Sequence, residues 1–146
     1  MKLRMMSKDI LKHEELLAKK NCRIYISGKI SGLSDLNVLK FSKTENWLHF
    51  LFGTDTSIVN PHTLLHLHNK SWENYMKEDL RHLLACNIVV VLDDWMISRG
   101  AVIEVLLANA VKMPIYFIDD KGELQAIKIT FGMKFLLGFK LLLNRF

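Results

Sequence analysis

The run Ile88-Val89-Val90-Val91-Leu92, followed at 98–104 by Ser-Arg-Gly-Ala-Val-Ile-Glu, decides the fold class. An apolar run without alternation reads as a strand buried on both faces, the kind found in parallel sheets. A glycine-containing turn comes next, then a helix-forming segment from Glu104 to Val111. A hydroxyl, a guanidinium and free backbone amides therefore meet where a strand ends and a helix begins. In α/β folds that junction binds anions. Glu104 sits one turn into the helix among Ala101, Val102, Ile103, Val105, Leu106 and Leu107. A carboxylate in such company costs free energy unless it is partnered or used. The alternative is a capped crossover helix whose glutamate faces solvent.

Outward from this stretch, strands and helices alternate. Cys22 to Ser27 reads as a first strand, and Gly28-Lys29-Ile30-Ser31-Gly32 as a glycine-punctuated loop. Leu36 to Phe52 reads as a helix ended by Gly53. Ser57 to Asn60 is a short second strand stopped by Pro61. Ser71 caps a helix from Trp72 to about Ala85, with Trp72, Tyr75, Met76, Leu80, Leu83 and Leu84 at helical spacing. Asn87 to Leu92 is the third strand and Pro114 to Ile118 the fourth. Asp119-Asp120-Lys121-Gly122 turns the chain. Ile127 and Ile129 alternate before a helix from Phe131 to Leu143. The pattern predicts a three-layer α/β sandwich, Rossmann- or flavodoxin-like, with a parallel sheet of four or five strands. Met1 to Lys20 reads as a charged helix with apolar Met6, Ile10, Leu11, Leu16 and Leu17. The expected organisation is an N-terminal helical extension over 1–21 and one domain over 22–146.

Bulk properties narrow the function classes. The 146 residues suffice for one domain with a real core, and 50% hydrophobic content excludes disorder. Twenty basic against fifteen acidic residues give a net charge of +5. The basic residues are scattered, and no Lys/Arg run with interleaved aromatics appears, so nucleic acid is not an expected partner. Cys22 and Cys86 flank buried strands, which suggests reduced, packed thiols in a cytoplasmic protein. The N-terminus is polar, unlike a signal sequence. Lys134 and Lys140 interrupt the Leu- and Phe-rich C-terminus, so a membrane-spanning helix of roughly 18 apolar residues is not expected. His62, His66 and His68 invite a metal reading, but no cysteine joins them, and no metal or other cofactor is expected.

Chemistry in a parallel sheet gathers at the carboxyl ends of the strands. Three loops lie there: Gly28 to Gly32, Asn60-Pro61-His62, and Asp93 to Gly100. Tyr25-Ile26-Ser27-Gly28-Lys29-Ile30-Ser31-Gly32 resembles the opening strand and loop of the nucleoside 2-deoxyribosyltransferase-like superfamily. Asn60-Pro61 resembles the end of its second strand. Asp79-Leu80-x-x-Leu83 with Asn87 resembles its helix and third strand. Ser98-x-Gly100-x-x-x-Glu104 resembles the loop and helix that carry its nucleophile. Among characterised members the pattern is similar to the 2'-deoxynucleoside 5'-monophosphate N-glycosidases. Trp72-x-x-Tyr75-Met76, Trp95 and Ser98-Arg99-Gly100-Ala101 resemble an uncharacterised bacterial and phage branch more closely. The likeness spans Cys22 to about Ile118.

The resemblance implies an enzyme that hydrolyses or exchanges the N-glycosidic bond of a nucleoside or nucleotide. It implies Glu104 as carboxylate nucleophile, Asp79 as the acid near the leaving base, and Tyr25 as the residue that orients the nucleophile. It implies a substrate and phosphate shell of Ser27, Gly28, Lys29, Ser31, Gly32, Asn60, Ser98, Arg99 and Gly100. Lys29 and Ser31 stand where the glycosidases have Ser and Arg, and Asn87 where many members have Asp. The residues themselves leave other readings open. Tyr25 also fits an ordinary strand aromatic, and Asp79 a surface residue paired with Arg81 or Lys77. Trp72 and Trp95 fit packing, and Asp93-Asp94 a strand-end turn. The alternative function is a nucleotide-binding module without turnover. Phe131, Phe135, Leu136, Leu137, Phe139 and Leu141 to Leu143 form an apolar surplus that predicts a homodimer.

Overall fold

The computed structural model describes residues 15, 21–64, 70–144 and 146. The expected helical extension over 1–21 lies almost wholly outside these residues, as do His66 and His68. In chain order the elements are β1 (Arg23–Ser27), α1 (Val38–Phe52), β2 (Ser57–Val59), α2 (Trp72–Leu84), β3 (Ile88–Val91), α3 (Arg99–Ala110), β4 (Ile115–Ile118), β5 (Leu124–Ala126) and α4 (Phe131–Leu143). Short 3₁₀ turns occupy Pro61–Thr63 and Trp95–Ile97.

The strand order is β2-β1-β3-β4-β5. Pairing is parallel from β2 through β4, with Ile24 opposite Ile88 and Val89 opposite Ile115. This is the flavodoxin-like order, and the expected neighbourhood of strands one and three holds. The last strand is antiparallel, with Tyr116 opposite Ala126 and Ile118 opposite Leu124. The connection explains the reversal. A parallel return needs a crossover of a dozen or more residues, whereas here the chain turns within Asp119–Gly122. The Gly122 N–H donates to the Asp119 carbonyl at 2.9 Å, and Gly122 takes φ +76°. The strand itself is Leu124–Ala126, ahead of the Ile127 and Ile129 alternation that pointed to it.

The layers account for the unbroken apolar run in β3. Side chains alternate along a strand, so both faces must be covered. Val89 and Val91 join Tyr25, Leu83, Val102, Val105 and Leu137 beneath α2, α3 and α4. Ile88 and Val90 join Ile24, Ile26, Phe41 and Leu48 beneath α1. Two helices start at positions other than the sequence suggests. Leu36 and Asn37 both adopt left-handed backbone, φ 51° and 63°, so α1 begins at Val38. The α3 helix begins at Arg99, five residues before Glu104, because Ser98 caps it and accepts from the Ala101 N–H. Among the described residues no helix is long and apolar enough to cross a membrane. Cys22 and Cys86 are free thiols, both buried.

Candidate active site

Tyr25 and Ser27 stand two apart on β1 and so project to the same face of the sheet, toward α3. Both reach Glu104. The Tyr25 hydroxyl donates to Glu104 Oε1 at 2.8 Å, and the Ser27 hydroxyl donates to Oε2 at 2.5 Å. All three side chains are buried. Each carboxyl oxygen therefore has its own hydroxyl donor, which fixes the plane of the group. Glu104 is not the solvent-facing residue of a surface helix, and Tyr25 is not merely a packed aromatic. Ser27 holds Glu104 and does not line the space beyond, so it is a positioning residue where a substrate contact was expected.

The helix dipole contributes little to Glu104. That effect falls off within the first turn, and Glu104 is the sixth residue of α3. Its titration is set by the local contest. Burial pushes Glu104 up to about 8, the Ser27 and Tyr25 hydroxyls pull it down, and the Asp79 charge adds to the rise. Burial, followed by the charges of Glu104 and Asp79, holds the Tyr25 phenol well above its ordinary range. Tyr25 therefore remains a proton donor at any physiological pH.

A cavity of about 480 Å³ opens at the carboxyl ends of β1, β2 and β3, within the range of small-molecule sites. Glu104 and Asp79 both line it. Asp79 is buried on α2 and does not face solvent. Gly28, Ser31, Ser98 and Gly100 also line it, as the strand-end argument requires. At Gly28 a Cβ would stand 2.5 Å from the Leu92 side chain, so only glycine lets the end of β1 lie against the end of β3.

Four expected binding residues sit elsewhere. Lys29 and Gly32 are outside the lining; the Lys29 N–H donates to Asp94 Oδ1 at 3.0 Å, and Gly32 serves a left-handed turn at φ +81°. Asn60 caps the Pro61–Thr63 turn by accepting from the His62 N–H at 3.0 Å, and its amide donates to Glu45 at 2.8 Å. Arg99 is exposed, with its guanidinium 4.1 Å from the centre of the Trp72 ring.

Other residues complete the wall. Trp72, Tyr75, Met76 and Asp79 all line the cavity. Their spacing of three, four and seven marks one face of α2. The stripe was visible in the sequence as core packing, and its upper part instead borders open space. Pro61, His62 and Leu64 contribute from the second loop, and Ile30 and Leu36 from the first. His62 packs edge-on against Phe41 at 5.0 Å. Trp95 is buried in the core, which settles its role as packing.

The first loop is closed by a clasp. Asp94 accepts from the Lys29 N–H, and from the Asn37 amide at 2.8 Å and Lys40 at 3.0 Å. The Asn37 amide also donates to the Lys29 carbonyl at 2.9 Å. Burial alone would raise Asp94, but the Lys29 N–H, Lys40 and Asn37 hold it below the ordinary carboxylate value. Among the described residues no three His, Cys, Asp or Glu side chains converge to hold a metal.

An α/β domain of flavodoxin-like topology, with a buried two-carboxylate cavity at its switch point, is the class that fold and site define. Residues 22–117 match the family model described as a domain of unknown function, DUF4406, and the chain belongs to that family. No curated protein matches the chain.

Proposed function

We propose that the cavity binds a nucleoside or nucleotide and breaks, or exchanges, its N-glycosidic bond. The observation that carries this reading is the buried Glu104 carboxyl, with one hydroxyl donor on each oxygen, in the same cavity as Asp79. The sequence resemblance to the nucleoside 2-deoxyribosyltransferase-like superfamily implies a nucleophile and an acid at these two positions, which supports the reading. Glu104 attacks C1' of the sugar, and the bond from C1' to the base nitrogen breaks. The departing base keeps the electron pair and takes a proton from Asp79, a transfer typically worth about 10²–10⁴-fold. Water, giving a proton back to Asp79, or a second base through its nitrogen lone pair then attacks C1', and the bond to Glu104 breaks. Tyr25 and Ser27 hold the attacking oxygens in place and stabilise their charge.

The pH at which Glu104 ionises favours a second reading. Raised to about 8, it carries a proton at neutral pH and is then no nucleophile. A nucleotide-binding module without turnover would have this property. For an enzyme the ionised fraction is the active one, because ionised Glu104 stabilises the positive charge that develops at C1' in the transition state. Incubation with a panel of nucleosides and nucleotides, followed by chromatography for free base, separates the two. Free base supports the enzyme; saturable binding without it supports the module.

We also propose that α4 pairs with a second copy of the chain. Its inner face, including Leu137, joins the core, while its outer face exposes Phe131, Phe135, Leu136, Phe139 and Leu142. Lys134 stands exposed among them, but an exposed apolar patch of this size is seldom left in water. Taking about 200 Å² for one fully exposed large apolar residue, that face leaves roughly 700 Å² uncovered, close to one partner's share of a stable interface.

A further inference from the structure

We infer that Lys140 is a positioning residue for the cavity: from α4 it holds the turn that leads into Ser98 and Gly100. Its effect on turnover rests on the N-glycosidic reading; its effect on the cavity wall does not.

The inner stripe of α4 is apolar. Met133, Leu137 and Leu141 recur at helical spacing and pack into the core beneath α2 and α3. Lys140 borders that stripe, next to Leu141, and is half-buried, whereas Lys134 is exposed. A charged group in such a position costs free energy unless it is partnered. Its partner is the Met96 carbonyl, which accepts from Lys140 Nζ at 3.1 Å although the two residues stand 44 apart in sequence. The Phe146 ring also lies against the ammonium, its centre 5.8 Å from Nζ.

Met96 is the middle residue of the turn Trp95–Ile97. The buried Trp95 ring anchors the start of that turn in the core. Lys140 holds the part that runs on toward α3. There the Ser98 N–H donates to the Trp95 carbonyl at 3.2 Å, and Ser98 Oγ accepts from the Ala101 N–H at 3.3 Å. Ser98, Gly100 and Ala101 line the cavity, so a Met96 carbonyl released to water takes the cap and this wall with it. Glu104 is held independently, by Tyr25 and Ser27 from β1. Loss of the Lys140 contact therefore loosens the ligand wall and leaves the carboxyl oriented. The support comes from α4, beyond the stretch 22–117 that carries the family match.

The test reads amide hydrogen exchange on the full chain for the wild type, Lys140→Met and Lys140→Arg. Methionine keeps an apolar stem and removes the donor; arginine keeps a donor. In Lys140→Met the Ser98 and Ala101 amides are expected to exchange at least about tenfold faster, while the Ile26 and Val90 amides in the sheet keep their wild-type rates. Lys140→Arg is expected to restore most of the protection. On the N-glycosidic reading, Lys140→Met also raises KM for 2'-deoxynucleosides about tenfold and changes kcat less than about twofold. Unchanged Ser98 and Ala101 exchange in Lys140→Met overturns the inference. So does a rise shared equally by Ile26 and Val90, which would make Lys140 a support of the whole fold. An arginine variant that exchanges like the methionine variant overturns it as well, and a loss of kcat at unchanged KM overturns the assignment to the ligand wall. Absence of base release by the wild type removes the N-glycosidic reading alone, because exchange is measured without substrate and still decides the inference.

Discussion

The Tyr25 hydroxyl stands 2.8 Å from Glu104 Oε1, joining the middle of the first strand to the second turn of a helix 79 residues later. With the Ser27 hydroxyl on the other oxygen, this contact turns a buried carboxyl into an oriented one. Tyr25→Phe keeps the ring that fills the core and removes only the donor. Losing a donor that favours the charged form raises Glu104 beyond about 8. If ionised Glu104 is the active form, kcat/KM of the wild type rises with pH toward a plateau above about 8, and in Tyr25→Phe that limb moves to higher pH. At neutral pH the variant loses roughly 10–100-fold in rate. A pH–rate profile identical to the wild type would show that Tyr25 only packs.

The same titration makes stability depend on pH. Glu104 is raised from an ordinary value of 4.5 to about 8, with burial as the main cause. Below pH 4.5 the folded and unfolded chains both hold the proton. Between 4.5 and 8 the folded chain keeps a proton that the unfolded chain releases, so stability falls as pH rises through this window. The slope is at most about 1.4 kcal/mol per pH unit. Glu104→Gln abolishes this contribution. Its melting temperature relative to wild type therefore climbs from pH 5 to pH 8, which thermal melts at both pH values measure. A difference independent of pH would contradict the assignment.

Asp94→Ala opens the clasp that ties Lys29, Asn37 and Lys40 to the end of β3. The loop that carries Ile30, Ser31 and Leu36 into the cavity wall is then released. The variant is expected to lose about 1–3 kcal/mol of stability and to raise KM about tenfold, with a smaller change in kcat. Denaturant melts and initial rates separate these effects. An unchanged KM would mean that the loop keeps its place without Asp94.

Phe135→Glu places a charge at the centre of the exposed face of α4, where the Phe135 and Phe139 rings stack at 6.5 Å. Phe135 is 71% exposed, so the substitution costs the isolated fold little. Light scattering should give a dimer for the wild type and a 17.0 kDa monomer for the variant. A monomeric wild type at micromolar concentration would leave that face without a second copy.

Most of the fold is legible in the sequence because its signals are local and periodic. The unbroken Ile88–Leu92 run demands cover on both faces, and the glycines, Pro61 and Ser71 mark where elements stop and start. The antiparallel β5 is not legible in the local pattern, because its direction depends on the length of the Asp119–Gly122 turn, while the apolar alternation lies just beyond the strand. At the site, Glu104, Asp79, Gly28, Ser31, Ser98 and Gly100 are brought to one cavity as their positions at strand ends and on α2 and α3 imply. The structure assigns different work to Ser27, Lys29, Asn60 and Arg99. Each has a closer partner: Glu104, Asp94, the Pro61–Thr63 turn and the Trp72 ring. Residues 65 or more apart form three-dimensional pairs such as Lys29–Asp94, which no local pattern reveals. The Trp72, Tyr75, Met76, Asp79 stripe shows the converse, since one helical period describes both a core face and a cavity wall.

The measurement that bears most directly on the catalytic reading is base release by Glu104→Gln beside the wild type, on the same nucleoside panel. Glutamine is isosteric and preserves the packing, but it lacks the charge that C1' meets in the transition state. The account predicts a folded variant that still binds ligand and releases base at least about 10³-fold more slowly. A Glu104→Gln protein that releases base at the wild-type rate would contradict it.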